Sequence, residues 1–223
     1  MNNNEYPRPD FVRGDLTWQS LNGPWSFLFD DNDVGSSEDW HIHGLPEEIR
    51  INPLNTNSTN TGGEDIVAKI ASGTQDLLQG NVFQRGRAVV NKRREIQVPY
   101  VFQCPASGIN EKGVHEVMWY ERTIQDPRQV DRKSPSNRVL LRFGAVDYEA
   151  KVWVDGNFFG GHRGGHVPFD IDITNAFIAG EAHRLTVRVF DSAHDLTQPR
   201  GKQYWKAQVC FLSRIMIHAD ATD

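Results

Sequence analysis

The 223-residue chain has few cysteines, no long apolar run and no excess of positive charge. Its two cysteines, Cys104 and Cys210, allow at most one disulfide, which excludes a disulfide-rich scaffold and favours a reducing compartment. No stretch approaches the ~18 apolar residues that a membrane-spanning helix requires. The formal net charge of -5 offers no basic surface of the kind that nucleic acids or anionic membranes attract. We therefore expect neither a nucleic-acid partner nor a membrane partner.

The first ten residues, MNNNEYPRPD, have neither a positively charged start nor an apolar core. They predict no secretory signal and hence a cytoplasmic location. The length suffices for one large domain or two small ones, but not for a (β/α)8 barrel of ~250 residues plus a further domain.

Short runs rich in valine, isoleucine and aromatic residues indicate strands. After PWSFLF at 24–29, further runs begin at residue 95: EIQVPY, EVMWYERTI, RVLLRF, AKVWV, PFDIDI and RLTVRVF. Parallel strands would be separated by helical patterns, so this spacing predicts an antiparallel sandwich or barrel.

Two local patterns refine that prediction. Asp155-Gly156 between apolar runs favours a two-residue hairpin turn. In RLTVRVF, three aliphatic residues alternate with Thr186, Arg188 and Phe190, which predicts that the latter three lie on a solvated face.

Residues 30–94 interrupt the strand pattern. The segment INPLNTNSTNTGGED at 51–65 is typical of a flexible loop. The following residues, 66–79, place apolar side chains on one helical face, with Asp65 at the N-cap and Gly80 at the C-terminal stop. They predict the single convincing helix of the chain.

Most candidate chemical motifs have a simpler structural explanation. Gly108 and Gly113 have phosphate-loop spacing, but Val114 stands where such a loop needs lysine, which favours a turn. His41 and His43 would share one side of an extended segment, yet no further ligands lie near them in the sequence, so we expect no metal site.

Two carboxylates and two tryptophans are candidates for sugar chemistry. Asp170 and Asp172 share one face of a strand, but the two carboxyls of a glycosidase flank a cleft. The favoured interpretation is that Asp172 or Thr174 caps the following helical turn. Trp153 lies in a strand pattern and is expected in the core, whereas Trp205 lies in a polar segment where it could stack on a sugar ring.

Three long segments carry a family resemblance: HEVMWYERTI at 115–124, RVLLRFGAVDYEAKVWVDGNFFGGHRGGHVPFDIDIT at 138–174 and LTVRVFDSAHDLTQPRGKQ at 185–203. SLNGPWSFLFD at 20–30 and VPYVFQCPASGI at 98–109 add to it. Together they resemble the N-terminal sugar-binding domain of glycoside hydrolase family 2, which contains β-galactosidases, β-glucuronidases and β-mannosidases. The resemblance covers roughly residues 8–203, apart from 50–95, which is similar to a lineage-specific insertion.

The resemblance implies an all-β fold: a jelly-roll β-sandwich of galactose-binding-domain-like topology, with one short helix in the insertion. It implies a domain at 1–205 that contains the insertion at 50–95, followed by a divergent tail at 206–223. In the family, two glutamates on a later (β/α)8 barrel carry out catalysis. No position here matches them, so the resemblance implies that the barrel is absent, that this chain alone is inactive and that no cofactor is needed.

The resemblance also implies a set of residues at the substrate rim. Glu121 in WYER, and Arg200, Lys202 and Gln203 in QPRGKQ, match loops that reach over the barrel mouth in relatives, and Trp205 follows them. A domain interface or simple solvation is an equally good interpretation for each. Relatives are often homo-oligomeric, and a β-glycoside is the implied partner.

The tail departs from the family pattern, because RIMIHA stands where relatives have a closing strand with Gly-Ile-Trp. It fits that strand in period but not in composition, which predicts an imperfect fit. Two alternatives to a glycosidase domain stay open: a freestanding carbohydrate- or protein-binding module, and a non-functional truncated gene product.

Overall fold

The computed structural model describes residues 17–51, 89–128, 137–177, 181–192, 195, 197–198 and 213–219. The chain divides into two compact units, Glu47–Lys92 and the remainder. Its strands are β1 (Thr17–Ser20), β2 (Gly23–Phe29), β3 (Glu48–Ile51), β4 (Val89–Lys92), β5 (Arg94–Val98), β6 (Val117–Gln125), β7 (Asn137–Phe143), β8 (Glu149–Val154), β9 (Asn157–Arg163), β10 (Phe169–Asp172), β11 (Ala182–Phe190) and β12 (Ser213–Ala219). A short helix, α1, spans Trp40–His43, and 3-10 turns span Pro105–Ser107 and Thr174–Ala176.

The larger unit contains two antiparallel sheets. One has six strands in the order β5-β2-β6-β11-β8-β9, and the other has four in the order β1-β12-β7-β10. Their facing side chains form one hydrophobic cluster, so the unit is a β-sandwich. The predicted all-β antiparallel architecture is confirmed, and the strand orders are compatible with a jelly roll.

Period-two alternation places the core between the sheets. Phe27 and Phe29 of β2 meet at 4.7 Å edge to face, and both are almost completely buried. Leu141 on β7 and Val187 on β11 face the same cluster from opposite sheets and have no exposed surface. Each such side chain contributes about 1.5–3 kcal/mol through burial, which explains why these aliphatic and aromatic side chains point inward.

The outer face of the six-stranded sheet is covered around Thr186 and Arg188, contrary to expectation. Thr186 and Arg188, predicted to be solvated, are only 1% and 6% exposed. The segment 30–45 folds over this face: Trp40 packs 5.7 Å from Trp119, and Arg188 pairs with Asp33 at 2.6 Å. The prediction was wrong because alternation within one strand gives no information on which distant segment covers its polar face.

The hairpin between β8 and β9 has the predicted two-residue turn. Val154 pairs with Asn157, and the two residues between them have positive φ, 48° at Asp155 and 82° at Gly156. Positive φ at both central positions is typical of a type I′ turn, which matches the twist of the flanking strands. The Asp155 carboxylate also accepts hydrogen bonds from the backbone N of Arg184 at 2.7 Å and from Nδ1 of His183 at 2.6 Å, which fixes the turn against β11.

The segment that contains RIMIHA forms a strand inside the four-stranded sheet. β12 pairs with β7 over seven residues, from Ser213–Phe143 to Ala219–Asn137, and with β1 on its other side. Its period-two pattern therefore predicted the strand correctly. The expected imperfect fit concerns its side chains and stays a prediction.

The smaller unit is described through two strands only. β3 and β4 pair antiparallel from Glu48–Lys92 to Ile51–Val89. Most of the predicted insertion lies outside the described residues, including the helix predicted at 66–79 with Asp65 and Gly80. None of the helices in the described part of the chain has the length and apolarity that crossing a membrane requires.

Candidate functional site

A buried carboxylate begins the segment that covers the outer face. Asp30 follows β2 directly and accepts hydrogen bonds from the backbone N of Val34 at 2.9 Å, the backbone N of Gly35 at 2.8 Å and Nε1 of Trp119 at 2.9 Å. Burial raises the pKa of Asp30, and so does the nearby Asp33. The three hydrogen bonds lower it, but the net shift is upward. Asp30 thus stabilises the turn at Val34 and Gly35 and fixes the orientation of the Trp119 ring. Sequence reasoning missed it, but an aspartate between an apolar strand and a turn-rich segment is a usable signal.

An open cavity of about 450 Å³ lies at this end of the sandwich. It is lined by Asp31, Asn32, Asp33, Val114, Glu116, Val117 and Phe190. Carboxylate oxygens accept hydrogen bonds and an amide both donates and accepts them, which suits hydroxyl-rich ligands. The cavity therefore combines the polar groups and the apolar surface that a sugar ring requires.

A histidine links two acidic side chains next to this cavity. Nδ1 of His115 lies 2.7 Å from Asp31 Oδ1, and Nε2 lies 3.1 Å from Glu111 Oε1. The ring also stacks on Phe29 with centroids 3.6 Å apart. These contacts hold Asp31 in a defined position at the cavity wall.

The segment after β11 starts at the same cavity. The backbone N of Asp191 donates to the backbone O of Glu116 at 2.9 Å, and Ser192 Oγ donates to Glu116 Oε1 at 3.4 Å. Asp195 Oδ1 then accepts from the backbone N of Thr197 at 2.8 Å and from its hydroxyl at 2.6 Å. Gln198, the first residue of QPRGKQ, is 6% exposed. Four rim residues predicted from the sequence lie outside the described residues: Arg200, Lys202, Gln203 and Trp205.

Glu121, the remaining rim candidate, lies in the middle of β6 on the outer face. Its Oε2 accepts a hydrogen bond from the backbone N of Leu45 at 3.1 Å and lies 3.7 Å from Nε of Arg184. It also lines an open cleft of about 410 Å³ together with Pro24, Trp25, Ser26, Arg93, Arg94, Glu95, Arg122 and Thr123. Glu121 is thus both a cleft residue and an anchor for the covering segment.

Two of the arginines in this cleft interact with the sandwich itself. Nη1 of Arg122 donates to the backbone O of Leu21 at 2.6 Å, and burial lowers the pKa of its guanidinium. Arg94 pairs with Glu111 at 2.7 Å. These interactions stabilise the fold at the edge of the sheet.

Asp170 and Asp172 both pair with arginines of the sandwich, whereas the N-cap of the following 3-10 turn is Ile173 and not Asp172 or Thr174, as was predicted. Asp170 pairs with Arg142, and Asp172 pairs with Arg138 at 2.9 Å, in both cases across the β10–β7 pairing. Asp172 Oδ1 accepts from the backbone N of Thr174 at 2.9 Å, at the start of the 3-10 turn. Burial alone would raise the pKa of Asp172, but the hydrogen bonds from Thr174 and Arg138 outweigh it and lower the pKa.

The aromatic and histidine candidates cluster on the outer face. Trp153 is 8% exposed, as expected for a buried residue, but it stacks on Trp119 at 5.6 Å rather than facing the core between the sheets. His41 and His43 lie in α1 and not in an extended segment. Among the described residues, no group of three or more His, Cys, Asp or Glu side chains has a metal-binding arrangement.

A protein-family model matches the larger part of the chain. The family model described as "Glycosyl hydrolases family 2, sugar binding domain" matches residues 91–216, more than half of the chain. The match includes the walls of the cavity on β6 and β11 as well as QPRGKQ.

Comparisons with individual proteins agree with the family model. A β-glucuronidase from Canis lupus familiaris is 36% identical over 91 residues, which cover 40% of this chain and 14% of that protein. A β-galactosidase from Thermoanaerobacter pseudethanolicus is 33% identical over 98 residues, which cover 44% of this chain and 13% of that protein. The matched region is therefore about one seventh of the length of these relatives.

A solved structure shows the same fold. The β-glucuronidase from Ruminococcus gnavus in complex with D-glucuronic acid superposes with a TM-score of 0.58 at 18% identity. The superposition covers 96% of this chain and 31% of the other. At that identity the likeness establishes the fold of the sandwich.

Proposed function

The chain belongs to glycosyl hydrolase family 2 through its sugar-binding domain, and we propose that it recognises β-linked glycosides, with β-glucuronides as the first candidates. Its relatives include a β-glucuronidase and a β-galactosidase. A glucuronide carries a carboxylate that a galactoside lacks, so cationic side chains at the rim would bind a glucuronide more tightly. Arg200 and Lys202 are the proposed cations, with Gln203 for hydroxyl groups and Trp205 for stacking on the sugar ring.

The cavity at the end of β6 and β11 is the observation that carries this proposal. Asp191, Ser192 and Asp195 attach the segment that leads to QPRGKQ to the wall formed by Glu116. The proposed rim therefore begins at a cavity that already offers carboxylates and an amide. Glu121 lies in the separate cleft, and in this proposal it contributes through that cleft.

The proposal assigns recognition and not bond cleavage to this chain. A retaining glycosidase needs two carboxyl groups about 5–5.5 Å apart on opposite sides of the scissile bond. Asp170 and Asp172, the paired carboxylates considered from the sequence, lie on one strand and are bound to Arg142 and Arg138. They therefore support the structure of β10.

A titration with phenyl β-D-glucuronide tests the proposal. Amide shifts in the nitrogen-15 spectrum of the chain should change at Glu116, Asp191 and Asp195, and the affinity should fall at least tenfold in the double variant Arg200→Ala/Lys202→Ala. Lys151→Ala is the matched control, since Lys151 is an exposed cation on β8. No shift changes at the cavity, or equal affinity in both variants, would refute the proposal.

Phenyl β-D-galactoside is the second probe, and it tests the substrate class. If the rim cations bind a uronate, the galactoside should bind more weakly and its affinity should not depend on Arg200 and Lys202. Equal affinity for the two probes would refute the preference for glucuronides while leaving glycoside recognition intact.

A further inference from the structure

Three buried polar atoms on the outer face of the six-stranded sheet have no hydrogen-bond partner among the described residues. They are Thr186 Oγ1, His41 Nδ1 and Arg184 Nε. A buried polar atom that loses its bonds to water without gaining others is costly, so native proteins pair nearly all of them, either with protein groups or with ordered water.

The first of these atoms lies at the centre of the face. Thr186 is 1% exposed and points away from the core between the sheets. In the strand register it lies between Glu121 on β6 and Trp153 on β8. Both neighbours are in contact with the segment that contains α1, Glu121 through Leu45 and Trp153 through His41.

The second atom comes from α1 itself. The His41 ring lies over Trp153 with centroids 5.2 Å apart. Its Nε2 is turned towards the exposed Asp39 carboxylate at 4.0 Å, and Nδ1 lies on the buried side of the ring. The His41 ring therefore lies over the residue that is paired with Thr186 in the strand register.

The third atom belongs to Arg184, two residues before Thr186 on the same face of β11. The Nη2 atom of Arg184 donates to the backbone O of His41 at 3.4 Å and to the backbone O of Ile42, which holds the end of the side chain against α1. Nε lies 3.7 Å from Glu121 Oε2, which is too long for a hydrogen bond. A water molecule can connect two polar groups that are too far apart for a direct hydrogen bond.

We propose that one ordered water molecule binds beneath α1 and is shared by Thr186, His41 and Arg184. Water donates two hydrogen bonds and accepts two, so it can accept from Arg184 Nε, donate to His41 Nδ1 and bond to the Thr186 hydroxyl. Three bonds are the usual number for a buried water. The water connects α1 to the sheet, and Thr186 is a positioning residue for that helix.

Crystal structures of the full chain and of Thr186→Val at about 1.8 Å resolution test the proposal. The unsubstituted chain should show a water peak within ~3.2 Å of Thr186 Oγ1 and of at least one of the other two atoms. The peak should be lost or displaced in Thr186→Val, which is nearly isosteric, and retained in Thr186→Ser, which keeps the hydroxyl.

Melting temperatures give a second readout. Thr186→Val should melt several degrees lower than the unsubstituted chain, and Thr186→Ser should recover most of the difference. Thr123→Val is the matched control, because Thr123 is an exposed threonine on the same face of the sheet. A dry site, a protein group in place of the water, or a Thr186→Val variant at least as stable as the unsubstituted chain would each overturn the proposal. If Thr186→Val does not fold, the density at the unsubstituted site and in Thr186→Ser decides the question.

Discussion

Nη1 of Arg93 donates a hydrogen bond to the backbone oxygen of Leu45 across 2.9 Å, although the two residues are 48 positions apart in the chain. The backbone N of Leu45 donates in turn to Glu121 on β6. The sandwich thus brings together the two positions that border the separate unit Glu47–Lys92.

This proximity predicts that the smaller unit is dispensable for folding of the sandwich. Replacing residues 47–92 by a short Gly-Ser linker should preserve the circular dichroism spectrum and cooperative melting, because the linker has only a small gap to close and a shorter loop costs less entropy. Adding Arg93→Ala to the shortened chain should lower its melting temperature, since the substitution removes the bond to Leu45. Loss of cooperative unfolding on deletion alone would contradict the prediction.

The turn at Asp155-Gly156 predicts a second stability difference. Gly156→Val should lower the free energy of unfolding by about 1 kcal/mol or more, because a β-branched residue is strained at a φ of 82°. A Cβ at this position would also come within 3.3 Å of Cα of Ile42. Asn157→Val is the control, since it places the same side chain at the next, exposed strand position, where valine is favourable. Denaturant melts that show equal effects would argue against a strained turn.

Buried Asp30 and partly exposed Asp172 predict pH effects of opposite sign. The pKa of Asp30 is raised above 3.8, so between pH 3.8 and the raised value the folded state keeps a proton that the unfolded state has lost. The free energy of unfolding that Asp30 contributes should therefore fall as the pH rises through this window. Asp30→Asn should remove this part of the pH dependence. The pKa of Asp172 is lowered, so its contribution is present above pH 3.8 and is lost as the pH falls.

Denaturant melts of the two variants at successive pH values check both signs. The stability of the unsubstituted chain relative to Asp30→Asn should decline with rising pH above pH 3.8, whereas relative to Asp172→Asn it should increase with pH up to that value. A carbon-13 titration of the Asp30 carboxyl gives its pKa directly. A value at or below 3.8 would contradict the first half of the prediction.

The strands and the hairpin were predictable because their signals are local. Alternation at β11 and the Asp155-Gly156 pair depend on residues a few positions apart, and the structure has both. The cover over Thr186 and Arg188 was not predictable in this way, because it depends on Asp30 and Trp40, more than 140 positions earlier. The same holds for Glu121: its strand could be predicted, but its bond to the backbone of Leu45 depends on how a distant segment returns to the sheet. The resemblance of QPRGKQ to a family motif predicted most of the rim residues. Their role at a substrate rim stays a prediction, because they lie outside the described residues.

The ion pairs on β10 predict that the chain does not hydrolyse glycosides through Asp170 and Asp172. We expect Asp170→Asn and Asp172→Asn to leave any turnover of aryl β-glucuronide, β-galactoside or β-mannoside unchanged, because both carboxylates are bound to arginines on β7. Asp170→Asn should instead reduce stability modestly, as an ion pair of intermediate exposure contributes up to about 1 kcal/mol. Turnover that survives repurification and is lost in Asp170→Asn or Asp172→Asn would show that this interpretation of the pair is wrong.

The last prediction concerns β12, whose sequence departs from the family pattern. Its backbone pairs with β7 on one side and β1 on the other, so its N–H groups are positioned to bond within the sheet. We expect the amides of 213–219 to exchange with solvent more slowly than those of β9, which lies at the edge of the other sheet.

Met216→Pro should be strongly destabilising, because proline removes a ladder hydrogen bond from an interior strand. Proline at the exposed Phe158 on edge strand β9 should cost less. Removing residues 213–223 should leave β7 and β1 with unpaired edges and promote aggregation, measurable by light scattering. Fast exchange across 213–219, together with a stable and monomeric shortened chain, would contradict the prediction. It would show that the unusual residues of β12 weaken the strand despite its alternating pattern, and that the sandwich is stable without it.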